Sequence, residues 1–322
     1  IAMLPLGPGP EFDRVRAIAR ALGPLAAGLG DDCAILPEVS GSNLVLSTDV
    51  SVEEVHFRRE WLGPAEIGWR AAATALSDLA AAGAEAIGLL AAVTVPRDTR
   101  EKQLAELMQG VGEAVGSVGG VVLGGDLSGG PAWSLAITVV GRATRPLSRR
   151  GAKAGDGVWV TGMLGGARAA VEAWRQGKEP EPEARRAFGR PEPRIAAGRA
   201  LAARGATALI DLSDGLASDA RHLAAASAVE LRIELDRLPV AASAGKSAQA
   251  AGVSPAEFAA RGGEDYELLA SLPASFDDAG AQAFLKETGL LLTRIGQVLT
   301  GTGTQLLLKG AEVTLTGFDH FG

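Results

Sequence analysis

The chain has 322 residues, a net charge of −7, 47% hydrophobic residues and 21% charged residues. At roughly 100–200 residues per domain this length predicts about two domains sharing an interface, and the apolar content excludes a largely disordered chain. The excess of acids leaves no broad basic footprint for nucleic acid or an anionic membrane. A protein of this charge that handles phosphates needs positive charge from elsewhere, and divalent cations are its usual source.

Cys33 is the single cysteine, so no internal disulfide forms. No apolar run is long enough to span a bilayer and no secretory pattern opens the chain, so a cytoplasmic location is expected. Residues 1–10, rich in Gly and Pro, are expected to fray.

In chain order, Gly28-Leu29-Gly30-Asp31-Asp32-Cys33 comes first, with glycines that admit a ligand to the backbone and adjacent acids suited to a hard cation. An exposed turn capping the next element is the plainer reading. Leu44-Val45-Leu46 runs into Ser47-Thr48-Asp49, two hydroxyls and a carboxylate that are competent magnesium ligands or, equally, an ST-turn. His56-Phe57 follows, and an isolated histidine is most often a surface residue.

Pro64 opens a predicted helix with Ile67, Ala71, Ala75, Leu76 and Leu79 on one face and Asp78 near its end. A second helix is predicted from about Thr99 to Val115, capped by Asp98 or Thr99. Val121-Val122-Leu123 leads into Gly124-Gly125-Asp126, which either brings backbone N–H groups to a phosphate or forms a hairpin turn. After a strand over Trp133–Val140, the basic, turn-prone stretch Arg145–Lys153 marks a boundary. The expected domains are therefore 11–147 and 148–322. Within that stretch Arg149, Arg150 and Lys153 serve either a triphosphate tail or the solvation of a linker.

Gly177–Arg190 reads as a surface loop or interrupted helix. Ala208-Leu209-Ile210 ends in Asp211-Leu212-Ser213-Asp214-Gly215, more acid than a cap requires, ahead of a helix start that favours anions. Val229–Asp236 alternates with period two as a strand with one wet face. Gly262-Gly263-Glu264-Asp265 precedes the apolar run at Leu268. The runs ending at Asp49, Asp126 and Asp211, with the Glu264 segment, are read as strand ends that carry carboxylates toward a common ligand. Interleaved strands and helices make the class α/β or α+β.

Several chemistries are excluded. Gly245-Lys246-Ser247 lacks the first glycine of a P-loop, since Val240 stands there. Gly28 and Gly30 lack the third glycine of a dinucleotide fingerprint, and paired zinc cysteines, a kinase catalytic loop and a nucleophile elbow are absent.

Taken together, these motifs resemble the thiamine-monophosphate kinase family from Glu11-Phe12 to Gly317-Phe318-Asp319-His320-Phe321-Gly322. Val55-His56-Phe57, Leu76-Ser77-Asp78-Leu79-Ala80, Arg149–Asp156 and Pro193-Arg194 fall in the same order. The resemblance implies two α/β domains of the aminoimidazole-ribonucleotide-synthetase-like fold, shared with selenophosphate synthetase. The N-terminal domain would form a homodimer interface and the C-terminal domain a mixed sheet. It implies conversion of thiamine monophosphate to thiamine diphosphate with ATP and several Mg2+ ions. Carried over, Asp32, Ser47, Thr48, Asp49, Asp78, Asp126, Asp211 and Asp214 would hold magnesium. Gly125, Asp126, Arg149 and Ser213 would hold ATP, and His56, Glu264 and Phe318 the thiamine phosphate. The chain departs from the family pattern at Glu54, Ala75, Gly129 and Ala154, where Gly, Asn, Arg and Pro are usual.

Transfer onto a phosphate monoester brings two anions together, so the barrier is largely repulsion and alignment. The attacking oxygen is already ionised near neutral pH, so no general base is required. Asp49, Asp126 and Asp214 are expected to assist direct in-line transfer through the metals. Rival readings are a synthetase of the same superfamily that releases ADP and phosphate, and a nucleotide-binding regulator that never turns over.

Overall fold

The computed structural model describes residues 13, 16, 33–35 and 41–317. Asp32 and the glycines before it, with Phe318 and the residues after it, lie outside the described residues.

The first sheet contains β1 (Ala34–Ile35), β2 (Asn43–Val52), β3 (Glu85–Val95), β4 (Val121–Gly129) and β5 (Ser134–Ala143). Its order is β1-β2-β5-β3-β4, antiparallel throughout except for the parallel β3–β4 pair. Alternation sends Leu135, Ile137 and Val139 of β5 into the core, beneath α1 (Pro64–Ala81) and α2 (Glu101–Ser117). Where α1 and α2 cross, both helices carry glycine. A Cβ on Gly68 would lie 1.9 Å from the Leu107 carbonyl oxygen, and one on Gly110 1.9 Å from that of Ala65. The backbones touch because neither side chain intervenes.

The second sheet contains β6 (Gly157–Thr161), β7 (Ala208–Asp211), β8 (Glu230–Glu234), β9 (Leu268–Leu272), β10 (Leu292–Leu299), β11 (Gly303–Leu308) and β12 (Ala311–Val313). Its order, β12-β11-β8-β10-β6-β9-β7, is mixed, with β11 parallel to β8 and the other neighbours antiparallel. Around it lie α3 (Gly166–Arg175), α4 (Pro182–Gly189), α5 (Ile195–Ala203), α6 (Leu216–Ser227), α7 (Ala242–Ala251), α8 (Pro255–Ala260) and α9 (Asp278–Thr288).

The two sheets do not have two separate cores. One apolar cluster runs from Val45 and Leu76 through Trp159, Ala197 and Leu201 to Leu292, while a second surrounds α6 on the other side of the second sheet. The junction is tight. A Cβ on Gly198 of α5 would lie 2.0 Å from the carbonyl oxygen of Ala80 in α1.

Several sequence expectations are corrected here. Asp49 and Asp126 are not at strand ends: β2 continues to Val52, paired with Ser134, and β4 to Gly129, paired with Val95. Continued ladder pairing outweighs the turn propensity of Ser, Thr and Gly. The second helix starts at Glu101, because Gln103 accepts the Arg100 N–H at 3.2 Å and so caps the first turn. Of the two readings of Gly177–Arg190, the interrupted helix holds: Pro182–Gly189 is helical, and its Phe188 is buried.

Candidate active site

A cavity of about 500 Å³ opens between the first sheet with its helix α1 and the second domain. Its acidic wall takes Asp49 from β2, Asp78 from the last turns of α1, Asp211 from the end of β7 and Asp214 from the turn after it. Thr48, His56, Arg149, Ser213 and Glu264 also line it. The site thus gathers residues separated by more than two hundred positions in the chain.

Local geometry fixes these groups. Thr74 Oγ1 donates to Asp49 Oδ2 at 2.8 Å, and Ser47 Oγ to Asp78 Oδ2 at 2.5 Å, so α1 and β2 orient each other's carboxylates. Thr48 Oγ1 meets Thr138 Oγ1 at 2.8 Å across the ladder. His56 Nδ1 accepts the Val52 N–H at 3.0 Å, which assigns the proton of the neutral ring to Nε2. Cys33 is buried, its Sγ 3.3 Å from the Asp78 carbonyl oxygen. Asp211 closes β7, and Gly215 at φ 102 turns the chain into α6.

Asp126 and Gly125 stand elsewhere. Register aligns Asp49 with Ile137, Ala91 and Gly125 in one row across the sheet, three strand spacings or about 14 Å in all. Ile137 and Ala91 are buried beneath the helices, so this row faces them together with Asp49. Asp126, one residue on, shares the opposite face with Val50 and Ala92. It lies on an exposed edge strand, outside the cavity lining. Arg150 and Lys153 are exposed and do not line the cavity, although Arg149 does.

The structure adds groups that the motifs did not suggest. Arg70 of α1, 2% exposed, pairs with Glu264, donates Nη1 to the Phe188 carbonyl at 2.7 Å and Nε to that of His56 at 3.3 Å, and stacks over the Phe188 ring. Burial works against its charge, but Glu264, Tyr266 and Asp49 together outweigh burial and hold the guanidinium more firmly protonated than usual. Tyr266 Oη donates to the same Glu264 carboxylate at 2.7 Å. Arg168, Arg175 and Arg261 line the wall on the second-domain side. A lone charge three residues after Ile67 on an apolar helix face was the available signal for Arg70.

The donor set on the acidic wall is oxygen only, carboxylate and hydroxyl, which fits a hard divalent cation rather than a thiophilic metal. Among the described residues another acid-histidine group, Asp214, Asp219 and His222, brings its ligand atoms within 4.8 Å of one another.

Two α/β units, each built on a sheet rich in antiparallel pairs, enclose this acidic cavity, and they define the class described as AIR synthase related proteins. Its N-terminal domain matches residues 30–143 and its C-terminal domain residues 153–309. Within that class the chain belongs to the thiamine-monophosphate kinase family of enzymes. It is 35% identical over 323 aligned residues to the thiamine-monophosphate kinase of Mycobacterium tuberculosis, covering 98% of this chain and 92% of that protein. With the Escherichia coli K12 thiamine-monophosphate kinase it shares 35% identity, covering 96% and 95%. The structure of AaThiL complexed with AMPPCP and TMP superposes with a TM-score of 0.86 at 32% identity, covering 97% of each chain. No helix among the described residues is long and apolar enough to cross a membrane.

Proposed function

We propose that the chain transfers the terminal phosphoryl group of ATP to thiamine monophosphate, giving ADP and thiamine diphosphate, by direct in-line displacement assisted by several magnesium ions. The observation that carries this reading is the meeting of Asp49 and Asp78 with Asp211 and Asp214 on one cavity of about 500 Å³. The AMPPCP and TMP of the AaThiL complex, an ATP analogue and a thiamine phosphate, support the same pair of ligands.

Ser47, Thr48, Asp49, Asp78, Asp211 and Asp214 hold the metals in this reading, with Asp32 completing the set; Asp126, expected among them, lies on the opposite sheet face outside the cavity. Bound magnesium supplies the charge that lets one phosphate anion approach another. Arg149 and Ser213 hold ATP, while His56, Glu264 and Phe318 hold the thiamine phosphate; Gly125 and Asp126, expected at the nucleotide, stand on the exposed edge strand. Glu264 balances the cationic thiazolium and Phe318 stacks on a ring. The acceptor oxygen is already ionised, so the chain needs no general base and its task is alignment and exclusion of water.

Residues 11–147 form the metal, nucleotide and dimerisation domain in this reading, and residues 148–322 complete the site. A homodimer is supported by β4, where Val121, Val122, Leu123 and Leu127 are exposed on the sheet edge. A second copy covers that edge and encloses the strand that bears Gly125 and Asp126. A chain with one cysteine, which makes no internal disulfide, suits a reducing cytoplasm.

The test is incubation of the purified chain with ATP, magnesium chloride and thiamine monophosphate, with the products separated by chromatography. Thiamine diphosphate and ADP in equal amounts, abolished by EDTA, are expected. Free inorganic phosphate with unchanged thiamine monophosphate overturns the reading in favour of a synthetase, and binding without turnover in favour of a regulator. Light scattering of the eluted protein at twice the chain mass is expected for the dimer.

A further inference from the structure

The Gly262–Glu267 segment and the Asp211–Gly215 turn are tied together through their backbones. The Glu264 N–H donates to the Ser213 carbonyl at 2.7 Å, the Tyr266 N–H to that of Leu212 at 2.9 Å, and the Leu212 N–H to that of Glu267 at 2.8 Å. Packing leaves no slack: a Cβ on Gly263 would lie 2.7 Å from the Ser213 carbonyl oxygen, and one on Gly215 2.7 Å from that of Gly262. The acidic turn and the Glu264 carboxylate are therefore set by one rigid unit.

That unit is strained. Glu264 and Tyr266 both occupy the left-handed region, at φ 72 and φ 49, which side chains with a Cβ resist. Such strain persists only where surrounding structure over-determines it. Between them Asp265 points away from the cavity, and both its carboxylate oxygens accept the N–H of Gly165, at 2.9 and 3.0 Å. Gly165 is the N-cap of α3, whose first N–H groups lack partners within the helix; burial pushes the Asp265 carboxyl well above its usual value, opposed by the Gly165 and Ala167 N–H groups.

We propose that Asp265 is a positioning residue: anchored on the start of α3, it holds Glu264 and Tyr266 in left-handed backbone, and so aims the Glu264 carboxylate at Arg70 and into the cavity. Without the anchor, residues 264–266 relax toward extended backbone and Glu264 leaves both Arg70 and the Tyr266 hydroxyl. The inference deepens the proposed function, on which the role of Glu264 toward substrate rests.

A double-mutant cycle tests it, with thiamine monophosphate binding to the full chain read by calorimetry in magnesium chloride and the fold of each variant checked by its unfolding transition. Asp265→Ala is expected to weaken binding at least tenfold in the wild-type background and less than twofold in the Glu264→Ala background, because its effect passes through Glu264. Losses that multiply in the double variant overturn the proposal, as does Asp265→Ala binding like wild type. Should Asp265→Ala not fold, Asp265→Asn, which keeps one acceptor oxygen for Gly165, runs the same cycle with a smaller loss. If Glu264→Ala binds like wild type, the substrate assignment of Glu264 has failed, and the crystal structure of the Asp265 variant then decides. Glu264 still left-handed and paired with Arg70 overturns the positioning role, and a relaxed segment supports it.

Discussion

Arg70 in α1 and Glu264 ahead of β9 form an ion pair that crosses from the first layer of the molecule to the second. The arginine is 2% exposed and the glutamate 29%, so the pair is shielded on one side and open to the cavity on the other. The same guanidinium satisfies the Phe188 and His56 carbonyls, which makes it the point where α1, α4, the His56 loop and the Glu264 segment meet.

Removing Arg70 leaves Glu264 without its cation, still accepting from the Tyr266 hydroxyl, and the Phe188 carbonyl without its side-chain donor. Arg70→Met is expected to lower stability by on the order of 3 kcal/mol, as for a broken buried pair. Arg70→Lys recovers only part of this, since one ammonium group cannot serve the partners of a planar fork. Urea unfolding midpoints check both, and a loss below about 0.5 kcal/mol for the methionine variant contradicts the assignment.

Gly198 is where α5 rides on α1. An alanine Cβ there would sit 2.0 Å from the Ala80 carbonyl oxygen, so the helices must part. Gly198→Ala is expected to cost about 2–3 kcal/mol by overpacking, and to loosen one half of the molecule from the other. Calorimetry is expected to show one transition for the wild type and a broadened or split one for the variant.

Glu54 stands where the family pattern has glycine, and it lies at φ 66. Its exposed ion pair with Arg58, at 3.2 Å, contributes little. Relief of left-handed strain, less the added freedom of an unfolded glycine, predicts that Glu54→Gly raises stability by about 0.5–1 kcal/mol. A lowered melting temperature is the opposing result.

Glu53 and Glu267 predict opposite pH signatures. Burial pushes Glu53 up, but the Trp133 N–H and Arg59 outweigh it and hold its carboxyl below the ordinary glutamate value. Its contribution is present above the ordinary glutamate range and is lost as pH falls through the lowered value. Burial raises Glu267, and Arg194 and Thr161 oppose this without cancelling it. Its contribution is present at low pH and is lost as pH rises through the raised value. Melting temperatures between about pH 3 and pH 8 are expected to show a shallower acid decline for Glu53→Gln, and a smaller decline on the rising side for Glu267→Gln.

Neutralising one acid of the crowded wall separates activity from stability. Asp49→Asn and Asp214→Asn are each expected to reduce kcat at least about a hundredfold while leaving the melting temperature in EDTA unchanged or higher, because a like charge is removed. Near-normal turnover in either variant removes that residue from the proposed metal set.

The acids of the cavity could be named from the chain alone because each lies in a short motif whose chemistry is local: hydroxyls beside Asp49, a serine between Asp211 and Asp214, glycines before Glu264. The helix over Pro64–Ala81 was legible for the same reason, since its apolar spacing is written within one element. What local pattern could not reveal was how far each strand runs. Asp49 and Asp126 look alike in sequence, each an acid after an apolar run, yet β-sheet register assigns them to opposite faces. Only the partner strands determine where pairing stops.

The partners of Arg70, the burial of Phe188 and the anchor of Asp265 on Gly165 belong to the tertiary structure. Their roles depend on groups more than ninety residues away in the chain, and a hydrogen bond or ion pair across that distance leaves no periodicity to read. The sequence by itself determined which side chains carry the chemistry, because ionisation and oxygen-donor character are properties of single residues. The packing of α1 against two domains decided which of them share a cavity, because convergence is a property of distance.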